Sequence, residues 1–111
     1  MCMIVHAKEY LTSNGVSSFG KWFEDLPPDQ AAKVTTAVVR MENGNFSNAK
    51  SVGGGVSEYK IDYGPGLRIY FALEGQAIIL LLGGGTKRRQ GNDIEAAKQR
   101  WSDYKDRKKE K

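Results

Sequence analysis

The 111-residue chain has very little cysteine, histidine or proline: one Cys, one His and three Pro. A lone Cys2 cannot close an internal disulfide, so the chain lacks the covalent framework on which small secreted domains depend, and a reducing cytoplasm is the expected setting. One His and one Cys are too few soft ligands for a zinc centre, and no cofactor or metal is expected. Uninterrupted apolar runs are short. Met3, Ile4 and Val5 give way at once to His6, Lys8 and Glu9, and no stretch reaches the length of a signal peptide or a membrane span. Neither glycine triplet, Gly53-Gly54-Gly55 or Gly83-Gly84-Gly85, leads into Gly-Lys-Ser/Thr at a helix start, which excludes the usual nucleotide phosphate loop.

The length fits one domain over residues 1–111, and four Phe, five Tyr and two Trp are enough large side chains to close a single core. Lys and Arg number 17 against 13 acids, giving a net charge of +4 and a pI near 9.2. The excess gathers towards the C-terminal end, while Glu24, Asp25 and Asp29 make a local acidic patch. An uneven basic surface suits a polyanionic partner, although a basic run is more often merely solvated.

Along the chain, Met3 to Ala7 reads as a short strand. Val16, Phe19, Trp22, Phe23 and Leu26 then recur at helical spacing. Pro27-Pro28 stops that helix and suits the first turn of another, which runs through Ala31, Val34, Val38 and Val39 to a stop at Asn43-Gly44. Residues 44–55 are expected to form a long loop. From Val56 the pattern alternates, with Ser57, Tyr59 and Ile61 on one side and Glu58, Lys60 and Asp62 on the other. Gly64-Pro65-Gly66 turns the chain into Leu67, Ile69 and Phe71, with Arg68 and Tyr70 on the opposite parity. If Asp62 pairs with Arg68, then Lys60 faces Tyr70, and all three of Lys60, Arg68 and Tyr70 share a face.

Glu74-Gly75 is a hairpin turn into Ala77 to Leu82, whose continuous apolar run marks a central strand. The triplet at 83–85 is expected to end it. Thr86 to Gln90 then forms an exposed basic loop, and Asn92 with Glu95 opens a helix whose apolar stripe is Ile94, Ala97, Trp101 and Tyr104. The charged tail from Lys105 is expected to fray. This order, β-α-α-β-β-β-α, predicts an α+β fold: an antiparallel sheet with its helices on one face and a partly open, basic other face.

Two linked segments carry a resemblance: Gly64-Pro65-Gly66-Leu67-Arg68-Ile69-Tyr70-Phe71, and Leu80-Leu81-Leu82-Gly83-Gly84-Gly85-Thr86-Lys87 followed by Gln90, Asp93-Ile94, Ala97 and Trp101. Together with Trp22 and Gly44-Asn45-Phe46 they make the chain similar to the RelE/ParE toxins of type II toxin–antitoxin systems, in the HigB-like branch of addiction module killer proteins. The resemblance implies a RelE-like fold, a cytoplasmic protein bound tightly by a cognate antitoxin, commonly of helix-turn-helix type, and operator DNA met only through that antitoxin. In many members it also implies cleavage of mRNA at the ribosome. Relatives of the ParE kind instead inhibit DNA gyrase by protein contact, an alternative that fold alone does not separate.

RNA can be cut without metal when its 2′-hydroxyl attacks the adjacent phosphate and cations stabilise the added charge. Arg68 is the first candidate, because its planar fork matches two phosphate oxygens; the competing role is a salt bridge to Glu58 or Asp62. Lys60 and Lys87 are the other catalytic candidates, as members of a cationic cluster whose lysines can shift in pKa. Many relatives have Arg where Lys60 stands, in a Glu-Leu-Arg motif that here reads Glu58-Tyr59-Lys60, and the replacement keeps the charge but not the fork. Arg88 and Arg89 are placed to grip RNA backbone, Gln90 to orient the 2′-hydroxyl or a base, and Tyr70 to stack on a base, each against a plainer role in solvation, capping or packing. His6 falls far from this cluster in sequence and reads as structural.

Overall fold

The structure, a computed structural model, describes residues 6–109. Met3, Ile4 and Val5 of the expected first strand and the last two residues of the tail lie outside the described residues; strand β1 is His6–Glu9. Helix α1 (Ser18–Glu24) begins where the Ser17 side chain accepts a hydrogen bond from the Gly20 backbone N–H at 2.8 Å. Helix α2 (Pro28–Glu42) has no side-chain cap and relies on Pro28 in its first turn, where a missing N–H costs nothing. It ends at Asn43, and Gly44 takes the left-handed backbone (φ 85°) that lets its N–H reach the Met41 carbonyl.

The expected loop over 44–55 contains a further strand, β2 (Ala49–Gly53). It pairs antiparallel with β3 (Val56–Ile61), the two joined by a turn in which Gly53, Gly54 and Gly55 all have positive φ. Only Ala49 and Val52 of β2 are even half-buried, so the segment lacks the apolar alternation that marks a strand. Its place in the sheet comes from backbone pairing to β3. Strand β4 (Leu67–Glu74) follows, then β5 (Ile78–Thr86), and the sheet order is β1-β5-β4-β3-β2. β1 lies parallel to β5, so the sheet is mixed rather than wholly antiparallel.

The β3–β4 hairpin pairs Lys60 with Arg68 and Glu58 with Tyr70, two residues away from the expected register. The turn closes as Ile61 pairs with Leu67, with the Gly66 N–H bonded to the Tyr63 carbonyl. A two-residue slip preserves side-chain parity, so Lys60, Arg68 and Tyr70 still share a face.

That face is not open. Phe71, Ile69, Leu67, Ile79 and Leu81 pack with Phe19, Val34, Ala37 and Met41 of α1 and α2 on one side of the sheet. Tyr70, Ala72, Leu80 and Leu82 pack on the other side with Ala97, Ile94 and Trp101 of helix α3 (Gln90–Lys109). The helices therefore occupy both faces: the apolar stripe Ile94, Ala97, Trp101, Tyr104 has to be buried, and the second face of β4 and β5 is where it goes.

Gly83-Gly84-Gly85 does not break β5, which continues to Thr86. The triplet is the place where helices from both layers come closest. A methyl group on Gly84 would land in the ring of Trp22 from α1, one on Gly83 would meet the Arg100 guanidinium, and one on Gly85 would meet the Asp93 carboxylate, the last two belonging to α3. An irregularity sets Tyr70 opposite Gly83 but Phe71 opposite Leu81, so Leu82 is an inserted residue, a bulge that keeps both Leu82 and Gly83 towards α3.

The basic stretch after β5 is a 3-10 turn, Lys87–Arg89, that runs straight into α3. Asn92 consequently lies inside the first turn of the helix and does not cap it. Nor does the tail fray before Lys109: Lys108 pairs with Glu74, the Tyr104 hydroxyl donates to Glu74 at 2.7 Å, and Arg107 donates to the Leu11 carbonyl. Lys108 and Tyr104 hold the Glu74 carboxyl below its usual range. No helix of the described residues is long and apolar enough to cross a membrane.

Because the Gly84 position is filled by an indole, Gly84→Ala should cost about 1–3 kcal/mol, the usual penalty of overpacking. Adding Trp22→Leu to that variant should recover part of the loss, as urea unfolding of the two single variants and the double variant would measure. Additive losses in that cycle would mean that the ring and the strand do not meet.

Candidate functional site

The site is built where β3, β4 and the 3-10 turn meet, and backbone bonding fixes its members. Lys60 is set beside Arg68 by the hairpin ladder, and its own N–H is held by the Asn48 carbonyl at 3.1 Å. On the other side of Arg68 lies Gly85 of β5, over which the Asp93 carboxylate sits. Lys87 is brought in by a third bond, from its N–H to the Gly66 carbonyl at 2.9 Å, and the same carbonyl is approached by Arg68 Nη1 at 3.4 Å. Gly66 itself has φ 79°, a backbone conformation that side-chain-bearing residues rarely adopt, and a Cβ there would just touch Lys87 Cβ. The glycine at the end of the Gly64-Pro65-Gly66 turn is thus required by its left-handed backbone, which aims the Gly66 carbonyl at both Lys87 and Arg68.

The three catalytic candidates therefore converge, but they differ in accessibility. Lys60 and Lys87 are exposed, as are Arg88 and Arg89. Arg68 is only 5% exposed and does not stand on an open face. Its Nε lies 3.3 Å from Glu58 Oε1, and Glu58 is 1% exposed. Of the two roles weighed for Arg68, the contact seen is the ion pair, with Glu58 as the partner. The pair is misaligned, so that neither Arg68 Nε nor Glu58 Oε1 makes a directional hydrogen bond. A charged pair so deeply buried forfeits hydration on both sides, and such pairs are held by the fold rather than holding it.

Gln90 is half-buried and already engaged within the fold. Its amide Nε2 donates to Glu58 Oε2 at 2.8 Å, joining the first residue of α3 to the carboxylate that faces Arg68. Tyr70 is fully buried under α3 and has no surface on which a base could stack. Burial, with the Glu58 carboxylate behind it, pushes the Tyr70 hydroxyl well above its usual value, and that hydroxyl has no hydrogen-bond partner. His6 sits on the edge strand β1, opposite Ile78 at the far end of β5 from Gly85.

Asp93 and Arg100 belong to the same neighbourhood and were not singled out from sequence as site residues. Asp93 Oδ2 is buried without a hydrogen bond, and desolvation pushes its carboxyl up from the ordinary 3.8, against the pull of Arg89 and Arg100. Arg100 donates to the Leu82 carbonyl at 2.9 Å, at the bulge. The available signal was their spacing: Asp93, Ala97 and Arg100 recur at helical intervals after a strand of three glycines, where only the helix can supply side chains.

The raised Asp93 carboxyl has a consequence for stability. The folded chain holds that proton more tightly than the unfolded chain, so the group's contribution is complete below 3.8 and is lost as pH rises through the raised value. Asp93→Asn should therefore be more stable than the native chain at neutral pH, with the difference closing at about pH 3. Urea unfolding at the two pH values tests this, and a constant difference would remove Asp93 as the cause.

No protein-family model matches the chain. An uncharacterized protein of Haemophilus influenzae is 38% identical to it over 82 residues, which make up 73% of this chain and 83% of that protein. Identity of that degree over most of both chains places this protein in the same family as the uncharacterized Haemophilus influenzae protein.

Proposed function

We propose that this chain is the toxin of a type II toxin–antitoxin pair, of the RelE/ParE kind, and that it works in the cytoplasm as a ribosome-dependent mRNA endoribonuclease without a metal. The observation that carries the reading is the convergence of Lys60, Arg68 and Lys87 at one end of the sheet, bordered by Arg88 and Arg89 on the adjoining turn. Exposed cations there supply the field that an RNA backbone needs, and a guanidinium between them is suited to a pentacoordinate phosphate, whose charge exceeds that of the ground state. In this reaction the 2′-hydroxyl gives up its proton as its oxygen forms a new bond to phosphorus, the bond to the 5′-oxygen breaks, and that oxygen takes up a proton from water, leaving a cyclic phosphate and a free 5′-hydroxyl. Lys60 and Lys87 bind and neutralise, and Arg68 acts on the transition state. A cognate antitoxin of helix-turn-helix type would cover the basic end with acidic side chains and carry the pair to operator DNA.

A second reading is favoured by one specific observation: Arg68 is buried and already paired with Glu58. A chain whose central cation is occupied can act through its surface alone, as a ParE-like inhibitor of gyrase or another protein would.

Brief expression without an antitoxin, with mapping of new mRNA 5′ ends, separates the readings. Ends confined to translated regions support the ribosome-dependent nuclease; growth arrest with no new ends favours the inhibitor. Lys60→Ala and Lys87→Ala, both at exposed positions, should each reduce cleavage at least about tenfold, about 1.4 kcal/mol of transition-state stabilisation, with unfolding midpoints unchanged. Full cleavage by both soluble variants would remove them from the site.

A further inference from the structure

We propose that Gln90 is a positioning residue that latches Arg68 shut, and that the first turn of α3 must shift before Arg68 can meet an anion. The inference deepens the proposed site but is carried by geometry that does not depend on it. Arg68 is a permanently charged group at 5% exposure, and the carboxylate beside it is at 1%. An exposed Lys60 and an exposed Lys87 flank it. Of the three convergent cations Lys60, Arg68 and Lys87, the one with a bidentate fork is therefore the one that solvent scarcely reaches.

What keeps it so is a short chain of contacts. Glu58 offers Oε1 to Arg68 and Oε2 to Gln90, and Gln90 is the residue at which the 3-10 turn becomes α3. The Gln90 amide is neutral and exchanges its bond for water at little cost, whereas the ion pair behind it is misaligned and leaves two buried atoms without directional partners. Two more polar atoms under the same turn, the Tyr70 hydroxyl and Asp93 Oδ2, are also buried without partners. Seating this turn leaves the Tyr70 hydroxyl and Asp93 Oδ2 without partners and holds a poorly aligned ion pair out of water, and lifting it restores water to these groups. An anion arriving between Lys60 and Lys87 would compete with Glu58 for Arg68, and Gln90 sets how readily Glu58 yields.

The test reads Arg68 directly and needs neither RNA nor toxicity. The full-length protein is treated with phenylglyoxal, which modifies accessible guanidinium groups, and the rate at each arginine is followed by peptide mass mapping. In the native chain Arg68 should react at least about tenfold more slowly than the exposed Arg88 and Arg89. Gln90→Ala, and Gln90→Met as a variant that keeps the length of the side chain, should speed Arg68 several-fold while Arg88, Arg89 and Arg100 keep their rates. A general loss of folding would instead speed Arg100 as well.

The proposal is overturned if Arg68 in the native chain reacts as fast as Arg88, or if either folded Gln90 variant leaves its rate unchanged. Unfolding of both variants would also count against it, since a contact that opens in the working protein cannot be one on which the fold depends. If no mRNA is cut on expression, the nuclease reading fails while these rates still decide the latch.

Discussion

Two helical layers share one strand, and side chains from both come closest to β5 where it has no side chains of its own. At Gly83-Gly84-Gly85 the indole of Trp22 approaches from one side and Asp93 and Arg100 from the other. Interiors are packed to the density of organic crystals, so three consecutive residues without a Cβ are space that neighbouring layers must fill. The bulge at Leu82 completes the arrangement by shifting the strand one residue just before the triplet, which turns Gly83 and Gly85 to α3 and Gly84 to α1. The position of α3 follows, and with it the positions of Gln90 and Asp93 above the site.

The site itself is governed by desolvation. Placing α3 on the sheet buries Arg68, Glu58 and Tyr70 in the same layer as Ala72, Leu80 and Leu82, and a permanent charge in such surroundings needs an opposite charge to offset its lost hydration. Glu58 supplies it. The exposed lysines at the margin need no such partner, because water still solvates them. One cluster of cations is thus divided into a guarded centre and an open rim, and the division is made by the helix rather than by the strands that hold the residues.

Much of this was legible in the sequence, and the failures have physical causes. Both N-terminal helices were readable because their apolar spacing and the Pro27-Pro28 and Asn43-Gly44 boundaries agree. The shared face of Lys60, Arg68 and Tyr70 survived a wrong register because parity is insensitive to a shift of two. Ala49–Gly53 was not readable, since an edge strand with two half-buried residues is specified by its partner's backbone and not by its own pattern. Three glycines look like a break because glycine weakens a strand in isolation; here their lack of side chains is what the neighbours require. The polar ends of Arg68 and Tyr70 make this face look open in the sequence, yet a stripe of Ile94, Ala97 and Trp101 has to be buried somewhere, and the second face of the sheet is where it goes.

The two ends of α3 are fastened very unequally. Near its C-terminal end Tyr104 and Lys108 hold Glu74, Arg107 holds the Leu11 carbonyl, Lys8 donates to the Tyr104 hydroxyl at 3.0 Å, and the Tyr10 hydroxyl donates to Asp103 at 2.7 Å. At the opposite end the side-chain tie is Gln90 to Glu58. Midway along, Arg100 bonds the Leu82 carbonyl, so beyond that point, among the described residues, the side-chain hydrogen bond holding the first residue of the helix is one neutral contact. Movement of α3 is thus opposed most over Tyr10 and least over Arg68, and the turn above the guanidinium is the part of the helix that can loosen while the rest stays seated.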